Sequence, residues 1–379
     1  MTAIVKAHNA ADFLALVPYL LGFHPHDSVV LVAFSGNRTR GAMRFDLPKT
    51  DAALACKRIA TTMIGMLCKL PEVDVLVPVA FTDDRFVPPV PYRPFIEVLI
   101  RRAELAGFLV RDALCVASDG WGSYLDDDCP PAGHPLDEIS ASDVGERVPS
   151  DAREALGALG ALGDVTDGAV IPEADSGARD RVAGLLRHFE ELIQARADEA
   201  MRLDESDAIL DSSHAPSVTV PALIESALAL EPPHLGDRGV AVFLWLLQLP
   251  TIRDAVVLQF AFGEAMGAKA LRGNEDFVRG DDRGARESAA LLLGDGPRPD
   301  LRRITAGITV LTAVTALAPK SARPAPLCVL AWLHWALGRG SVAGLLVEQA
   351  LTIDPNYGFA TLLLAMLDAG RLPDWAFEG

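Results

Sequence analysis

One cluster in the chain has the residue types of a metal site, His24-Pro25-His26-Asp27. Two histidines at i and i+2 on extended backbone face the same way, and Asp27 offers a carboxylate oxygen. A hydrolytic metal centre needs a further ligand and none stands nearby in sequence. The expectation is therefore a polar turn between a helix and a strand, with no bound metal. A second set is acidic and aromatic: Asp83 and Asp84, then Asp119, Trp121 and Tyr124. A ring beside a carboxylate suits a cationic or heteroaromatic ligand, through stacking and cation–π contact of roughly 0.5 to 2 kcal/mol. Gly120 and Gly122 flank Trp121 and admit the positive φ of a sharp loop. On a helical turn, Trp121 and Tyr124 would share a face.

Neighbouring candidates read as solvated structure. Asp126-Asp127-Asp128 is a charge run, and its carboxylates disfavour a thiolate at Cys129. Ser35-Gly36-Asn37-Arg38 is turn chemistry. There is no G-x-G-x-x-G after a strand, no Walker lysine loop, no G-x-S-x-G elbow and no H-E-x-x-H. No motif specifies a cofactor, which stays unknown.

These residues hang on alternating periodicities. A helix starts at Asn9 or Ala10, carries Phe13, Leu14, Val17 and Leu21, and meets Pro18. Ser28–Phe34 is a strand with almost no polar break, and Gly41–Leu47 returns as its hairpin partner. Asp51 is expected to cap a helix through Leu70, with Leu54, Ile59, Met63, Met66 and Leu67 as its apolar positions. Strand 73–81, helix 94–106 and strand 108–117 follow. Strands alternating with helices predict an α/β domain with a mixed, mostly parallel sheet and one antiparallel hairpin. Parallel strands would gather Ser35, Asp83, Asp84, Asp119, Trp121 and Tyr124 at one edge, where open α/β sheets bind ligands. They would leave His24 and His26 at the opposite edge, roughly 20 Å away at about 3.3 Å per residue.

Residues 118–177 are rich in Gly, Pro, Asp and Ser and read as loop and linker with a short helix at 152–162. Beyond them the pattern is helical: Val182, Leu185, Leu186, Phe189, Leu192 and Ile193 recur at helical spacing. Thr251 with Asp254 suggests a capping box for a helix through about Leu271. Further helices are expected at 221–230, 282–293, 301–317, 327–338, 342–353 and 357–369. Trp332, Leu337-Gly338, Ala350-Leu351 and Pro355 give the last of these a tetratricopeptide-like helical hairpin rhythm. The expected division is 1–150 α/β domain, 151–216 linker and amphipathic helix, 217–379 all-α domain.

Lys plus Arg number 34 against 51 Asp plus Glu, a net charge of −17. That field repels phosphate backbones and anionic lipid, so neither nucleic acid nor membrane is an expected partner. Mean hydropathy is +0.24, yet each apolar run is shorter than the roughly 18 to 20 residues of a bilayer span. The opening MTAIVKAHNAADF lacks the layout of a secretory signal. Five scattered cysteines without a CxxC pair read as reduced thiols. The expected location is cytoplasmic.

Three stretches resemble an actinobacterial family known as domain of unknown function 4192. They are VPYLLGFHPHDSVVLVAF at Val17–Phe34, DGWGSYLDDDCPPAGHPL at Asp119–Leu136 and ALTIDPNYGFATLLLAMLDAG at Ala350–Gly370. The resemblance implies a shared fold over nearly the full chain and implies no activity. The family pattern keeps GF-x-P-x-DS without requiring His24 or His26. It often has two tryptophans where this chain has Trp121-Gly122.

The favoured functional reading is a non-catalytic binding or scaffold protein, engaging a protein partner or a small molecule. The alternative is an enzyme acting on a small polar or cationic molecule at the acidic edge. The ligand-binding candidates are Asp83, Asp84, Asp119, Trp121 and Tyr124, and no catalytic residue is assigned. The charge balance generates a first test: no complex with duplex DNA is expected at micromolar protein and moderate salt. A salt-sensitive band in a gel shift would contradict it.

Overall fold

The computed structural model describes residues 5–21, 24–148, 167–202, 219–229 and 235–376. The helix expected at 152–162 lies outside the described residues. The chain divides into two compact units, Met1–Gly168 and Ala169–Glu378.

In the first unit, β1 (Ser28–Ser35) is buried at every position but its last. It turns at Gly36, where φ is 57°, into the half-exposed edge strand β2 (Arg38–Asp46). The two pair antiparallel from Ser28↔Asp46 to Ser35↔Arg38, with a bulge at Ala33/Phe34. The helix α2 (Ala53–Leu67) then leads to β3 (Val75–Phe81), which lies on the other side of β1. This pairing is also antiparallel, from Ser28↔Phe81 to Phe34↔Val75. After α3 (Arg93–Leu105), the short strands β4 (Leu109–Val110) and β5 (Leu114–Val116) run parallel to β3. The edge strand β6 (Trp121–Ser123) runs antiparallel to β5. The order is β2-β1-β3-β5-β6, with β4 also on β3.

The expectation of a mostly parallel sheet is thereby corrected: the sheet is mixed and mostly antiparallel. The single strand expected at 108–117 is also broken. Asp112 interrupts it, because its Oδ1 accepts the Ala113 N–H at 2.7 Å and the Ser123 hydroxyl at 2.6 Å.

Both faces of the central strands are covered. Val29, Leu31, Ala33, Leu76 and Ala80 pack with Ala60, Met63, Ile64 and Leu67 of α2 and Ile96 and Leu99 of α3. Val30, Val32, Val75, Val77 and Val79 pack with Leu14 and Val17 of α1 (Ala10–Leu21). Each of the Val, Leu, Ile and Met side chains contributes about 1.5–3 kcal/mol on burial. The helix α1 continues through Pro18 for one more turn. The short helices α4 (Asp137–Ser140) and α5 (Val144–Arg147) pack against it. Two details of α2 differ from expectation. Asp51 does not cap it, the N-cap position being Ala52 with no side-chain bond. Leu54 points outward, 71 % exposed.

The second unit is helical: α6 (Ser176–Arg202), α7 (Val220–Ala229), α8 (Gly236–Leu247), α9 (Pro250–Phe262), α10 (Glu264–Val278), α11 (Arg283–Leu292), α12 (Leu301–Leu317), α13 (Pro324–Ala336), α14 (Gly340–Ile353) and α15 (Gly358–Asp368). Thr251 and Asp254 form no capping box; Leu249 precedes the helix and Asp254 pairs with Arg253 at 2.7 Å. Gly263, with φ of 95°, ends α9 where one long helix was expected. The helix α13 is buried at every position. Beside it, the indole N–H groups of Trp332, Trp335 and Trp375 donate to Leu292, Arg371 and Ala336 carbonyls at 2.7, 2.8 and 3.0 Å. Arg303 grips Glu225 with two N–H groups, at 3.0 and 2.5 Å. No single helix among the described residues is long and apolar enough to cross a membrane.

His334 of α13 generates the second prediction. It is 2 % exposed and neither ring nitrogen has a partner. Burial pushes its pKa down to about 3, with Arg339 adding to the effect. The unfolded imidazole takes a proton near pH 6.5 while the folded one stays neutral, so stability is full above that pH and falls as pH drops towards 3. Replacing His334 by Leu removes that proton uptake and leaves no polar atom unpaired. Urea midpoints measured from pH 7 to pH 4 should therefore fall less steeply in the Leu variant than in the wild type. Identical slopes would contradict this account.

Candidate functional site

The antiparallel pairing redistributes the sequence candidates between the two ends of the sheet. Continuing the β1–β3 ladder by two residues beyond Ser28↔Phe81 places His26 opposite Asp83. His26 Nε2 lies 2.8 Å from Asp83 Oδ1. Asp27 has a φ of 39°, so it departs from strand alternation. Its Oδ2 lies 3.9 Å from His26 Nδ1 and its Oδ1 accepts the Asp83 N–H at 3.4 Å. Ser35, expected on the acidic edge, lies at the other end beside Arg38. The separation of the histidines from the acidic edge is thus corrected for His26, because β1 runs against β3.

Asp84 and Asp119 tie loops together at this end. The Asp84 carbonyl accepts the Ser118 N–H and hydroxyl at 3.0 and 3.1 Å. Asp119 Oδ1 accepts the Phe86 N–H and Oδ2 accepts from Arg85 Nε, each at 2.7 Å. The Phe86 N–H, followed by Arg85, holds the Asp119 carboxyl below its ordinary value of 3.8.

Trp121 and Tyr124 do not share a face. They stand at the two ends of a strand segment, and their spacing of three sends them to opposite sides. Trp121 joins the α1-side core, 7 % exposed. Tyr124 joins the α2–α3 side and donates its hydroxyl to the Pro91 carbonyl at 2.6 Å. Burial, with Cys115 alongside, raises the Tyr124 pKa well above 10.0. The glycines around Trp121 serve close approach and not positive φ. A Cβ on Gly122 would meet Cys129 Sγ at 2.5 Å and Phe86 Cζ at 2.6 Å, and one on Gly120 would meet the Ala132 carbonyl at 2.6 Å.

Trp121 instead forms one wall of a cavity of about 410 Å³ with Arg111, Asp112, Ser123, Asp126 and His134. His134 is fixed there by reciprocal backbone bonds with Trp121, at 3.0 and 2.7 Å. Its ring stacks on the indole, with centroids 4.6 Å apart and planes at 29°. The buried Trp121 Nε1–H has no acceptor. Arg111 donates to the Gly36 carbonyl at 2.7 Å and lies over the Phe34 ring at 5.6 Å. Sequence reasoning missed Arg111, Asp112, Ser123 and His134. The signal available for the first two was a charged pair interrupting an otherwise apolar strand.

The cavity presents mixed charge: one guanidinium, two carboxylates and a stacked aromatic wall. Ser123 donates its hydroxyl to Asp112 Oδ1 at 2.6 Å, and the His134 ring is stacked on Trp121.

A family described as domain of unknown function (DUF4192) matches residues 11–374. No curated protein and no solved structure matches the chain.

Two variants test these placements. Trp121→Ala should lower unfolding free energy by roughly 3 to 5 kcal/mol, as for a buried ring; a change below about 1 kcal/mol would place the ring at the surface. For Asp119, whose folded pKa is depressed, stabilisation is present above the unfolded value and is lost as pH falls through the folded one. Asp119→Asn should therefore remove part of the acid-side fall in the urea midpoint below about pH 4. An unchanged acid limb would dissociate Asp119 from the 85–86 loop.

Proposed function

We propose, for a chain that belongs to the DUF4192 family of domains of unknown function, a non-catalytic binding role, with a small polar molecule held in the cavity along β5 and β6. The observation that carries this reading is the buried Trp121 N–H, without an acceptor, in the wall of a cavity of about 410 Å³. Buried donors are nearly always paired, so an unpaired one beside a cavity asks for a ligand or water oxygen. The volume falls within the roughly 300–1,000 Å³ of small-molecule sites.

The lining supports a ligand that carries a cationic or heteroaromatic group. Asp112 and Asp126 supply negative charge, Arg111 supplies a single cation, and Trp121 with His134 supplies a stacked wall. Asp83, Asp84 and Asp119, proposed at the outset as ligand contacts, would flank the sheet end instead. Tyr124 lies in the opposite core layer, its hydroxyl bonded to Pro91.

The enzyme alternative has less support. It needs a base, a nucleophile and an orienter aligned in one cavity; Ser123 is bonded to Asp112 there, but the His134 ring is stacked on Trp121, and Asp119 and Tyr124 are engaged with the 85–86 loop and Pro91. A protein partner for the tetratricopeptide-like helices also has less support, since α13 has no free face.

The test is a thermal-shift panel of free amino acids, nucleobases and polyamines against the wild type, Trp121→Phe and Arg111→Gln. Trp121→Phe keeps a ring and deletes the N–H. A binding class should stabilise the wild type by about 2.7 kcal/mol at a hundredfold excess over Kd, and both variants should lose most of that shift. No shift from any class, or equal shifts in all three proteins, would overturn the proposal.

A further inference from the structure

The second inference concerns the other end of the sheet and does not depend on the cavity. We propose that His26, Asp27 and Asp83 form a site for one divalent transition-metal ion of the zinc or manganese class.

The geometry starts with the backbone. Antiparallel β1 and β3 bring His26 opposite Asp83, and directly opposed residues hold their Cβ atoms about 4.5–5.5 Å apart. Strand alternation would send Asp27 to the other face. Its left-handed φ of 39° returns the carboxylate to the same side. One ligand atom from each of the three residues lies within 4.8 Å of the others. Ligand atoms about 2.0–2.2 Å from zinc stand roughly 3.3–3.6 Å apart in a tetrahedral shell. The closing of the shell is then a matter of side-chain rotation, not of backbone movement.

The donor set suits the ion. One imidazole nitrogen and two carboxylate oxygens are hard-to-borderline ligands, which favour zinc and manganese over thiolate-seeking copper(I). Two carboxylates with a neutral imidazole balance a dication. Three protein ligands leave a position for water, as in catalytic and not structural zinc sites.

Further carboxylates stand around the cluster. Burial, followed by the charges of Asp84, Asp27 and Asp51, raises the Tyr92 pKa. Among the described residues, no Lys or Arg forms an ion pair with Asp27, Asp51, Asp83 or Asp84. The cations at this end are engaged elsewhere: Arg85 pairs with Asp119, and Arg44 with Asp46. A separate observation comes from the next residue inward. Ser28 is wholly buried, and its hydroxyl has no partner, so the same strand end holds a polar atom left open.

The competing arrangement is a protonated His26 bridging two carboxylates with no ion bound. The experiment separates the two. Metal-stripped full-length protein is dialysed against Zn²⁺, and separately against Mn²⁺, and bound metal is counted per chain. Co²⁺ titration then reports the ligand field by visible absorption. The wild type should bind one equivalent, with a Co²⁺ band indicating nitrogen and oxygen ligands. His26→Ala and Asp83→Asn should each weaken binding by at least about tenfold and lose the band. His24→Ala and Asp126→Asn, which leave the cluster intact, should bind as the wild type does. Circular dichroism of each variant checks that it is folded. Absence of stoichiometric metal in the wild type, or equal binding in His26→Ala, would overturn the proposal. Equal losses in Asp126→Asn would mark general attraction to a chain of net charge −17 and overturn it as well.

Discussion

The antiparallel pairing of β1 with β3 is the constraint on which the first unit depends. Seven register pairs, Ser28↔Phe81 through Phe34↔Val75, fix which residue of each strand faces which layer. They set Val29, Leu31 and Ala33 against α2 and α3, and Val30 and Val32 against α1. A slip of one residue would exchange the two sets. The same ladder brings the segment entering β1 to the end at which β3 leaves. His26 meets Asp83 for that reason alone.

The existence of the elements was legible in the sequence; the direction of one strand was read wrongly. Near-continuous apolar runs at Ser28–Phe34 and Val75–Phe81 are usual in parallel sheets. They report cover on both faces, however, and antiparallel strands between two helical layers show the same pattern. The deciding information was connectivity. A hairpin reverses direction and a helical crossover preserves it. With the β1–β2 hairpin already recognised, α2 had to deliver β3 parallel to β2, and therefore antiparallel to β1. Counting reversals along the chain would have predicted the observed sheet, and with it the company of His26.

Residues around Trp121 were visible as candidates for a different reason than the one that places them. A loop or helical turn at 119–124 would have put Trp121 and Tyr124 together. The segment is a strand, because its backbone bonds go to β5 on one side and His134 on the other. Period two then sends the rings to opposite layers, where each is buried. Gly120 and Gly122 fit because neighbouring atoms would collide with a side chain there. Such close approach leaves no trace in periodicity. In the helical unit the missed boundary was similar: Gly263 breaks α9 from α10 within a pattern that reads as one apolar helix.

The two candidate sites differ in how firmly their parts are held, and this bears on what each can do. Around the acidic end, loop 82–86 is tied to loop 116–120 by Thr82 N–H to Val116, Ser118 to Asp84 and Asp119 to Phe86. Asp83 therefore sits on a fastened loop at the end of a buried strand. His26 is held by its neighbours in the ladder, and Arg44 donates to its carbonyl at 3.3 Å. Its ring is about half exposed, at 47 %, and lies against Asp83 Oδ1 at 2.8 Å. Fastened backbone with exposed side chains is what the proposed ion site would use. The cavity along β5 and β6 is the converse: its ring wall is pinned by backbone bonds and stacking, while Asp126 and Leu125 at its mouth are exposed. A rigid wall limits the shape of what enters, and the exposed mouth sets its charge. Fixed shape with adaptable charge suits the proposed binding role, in which little ordering would be required when a ligand arrives.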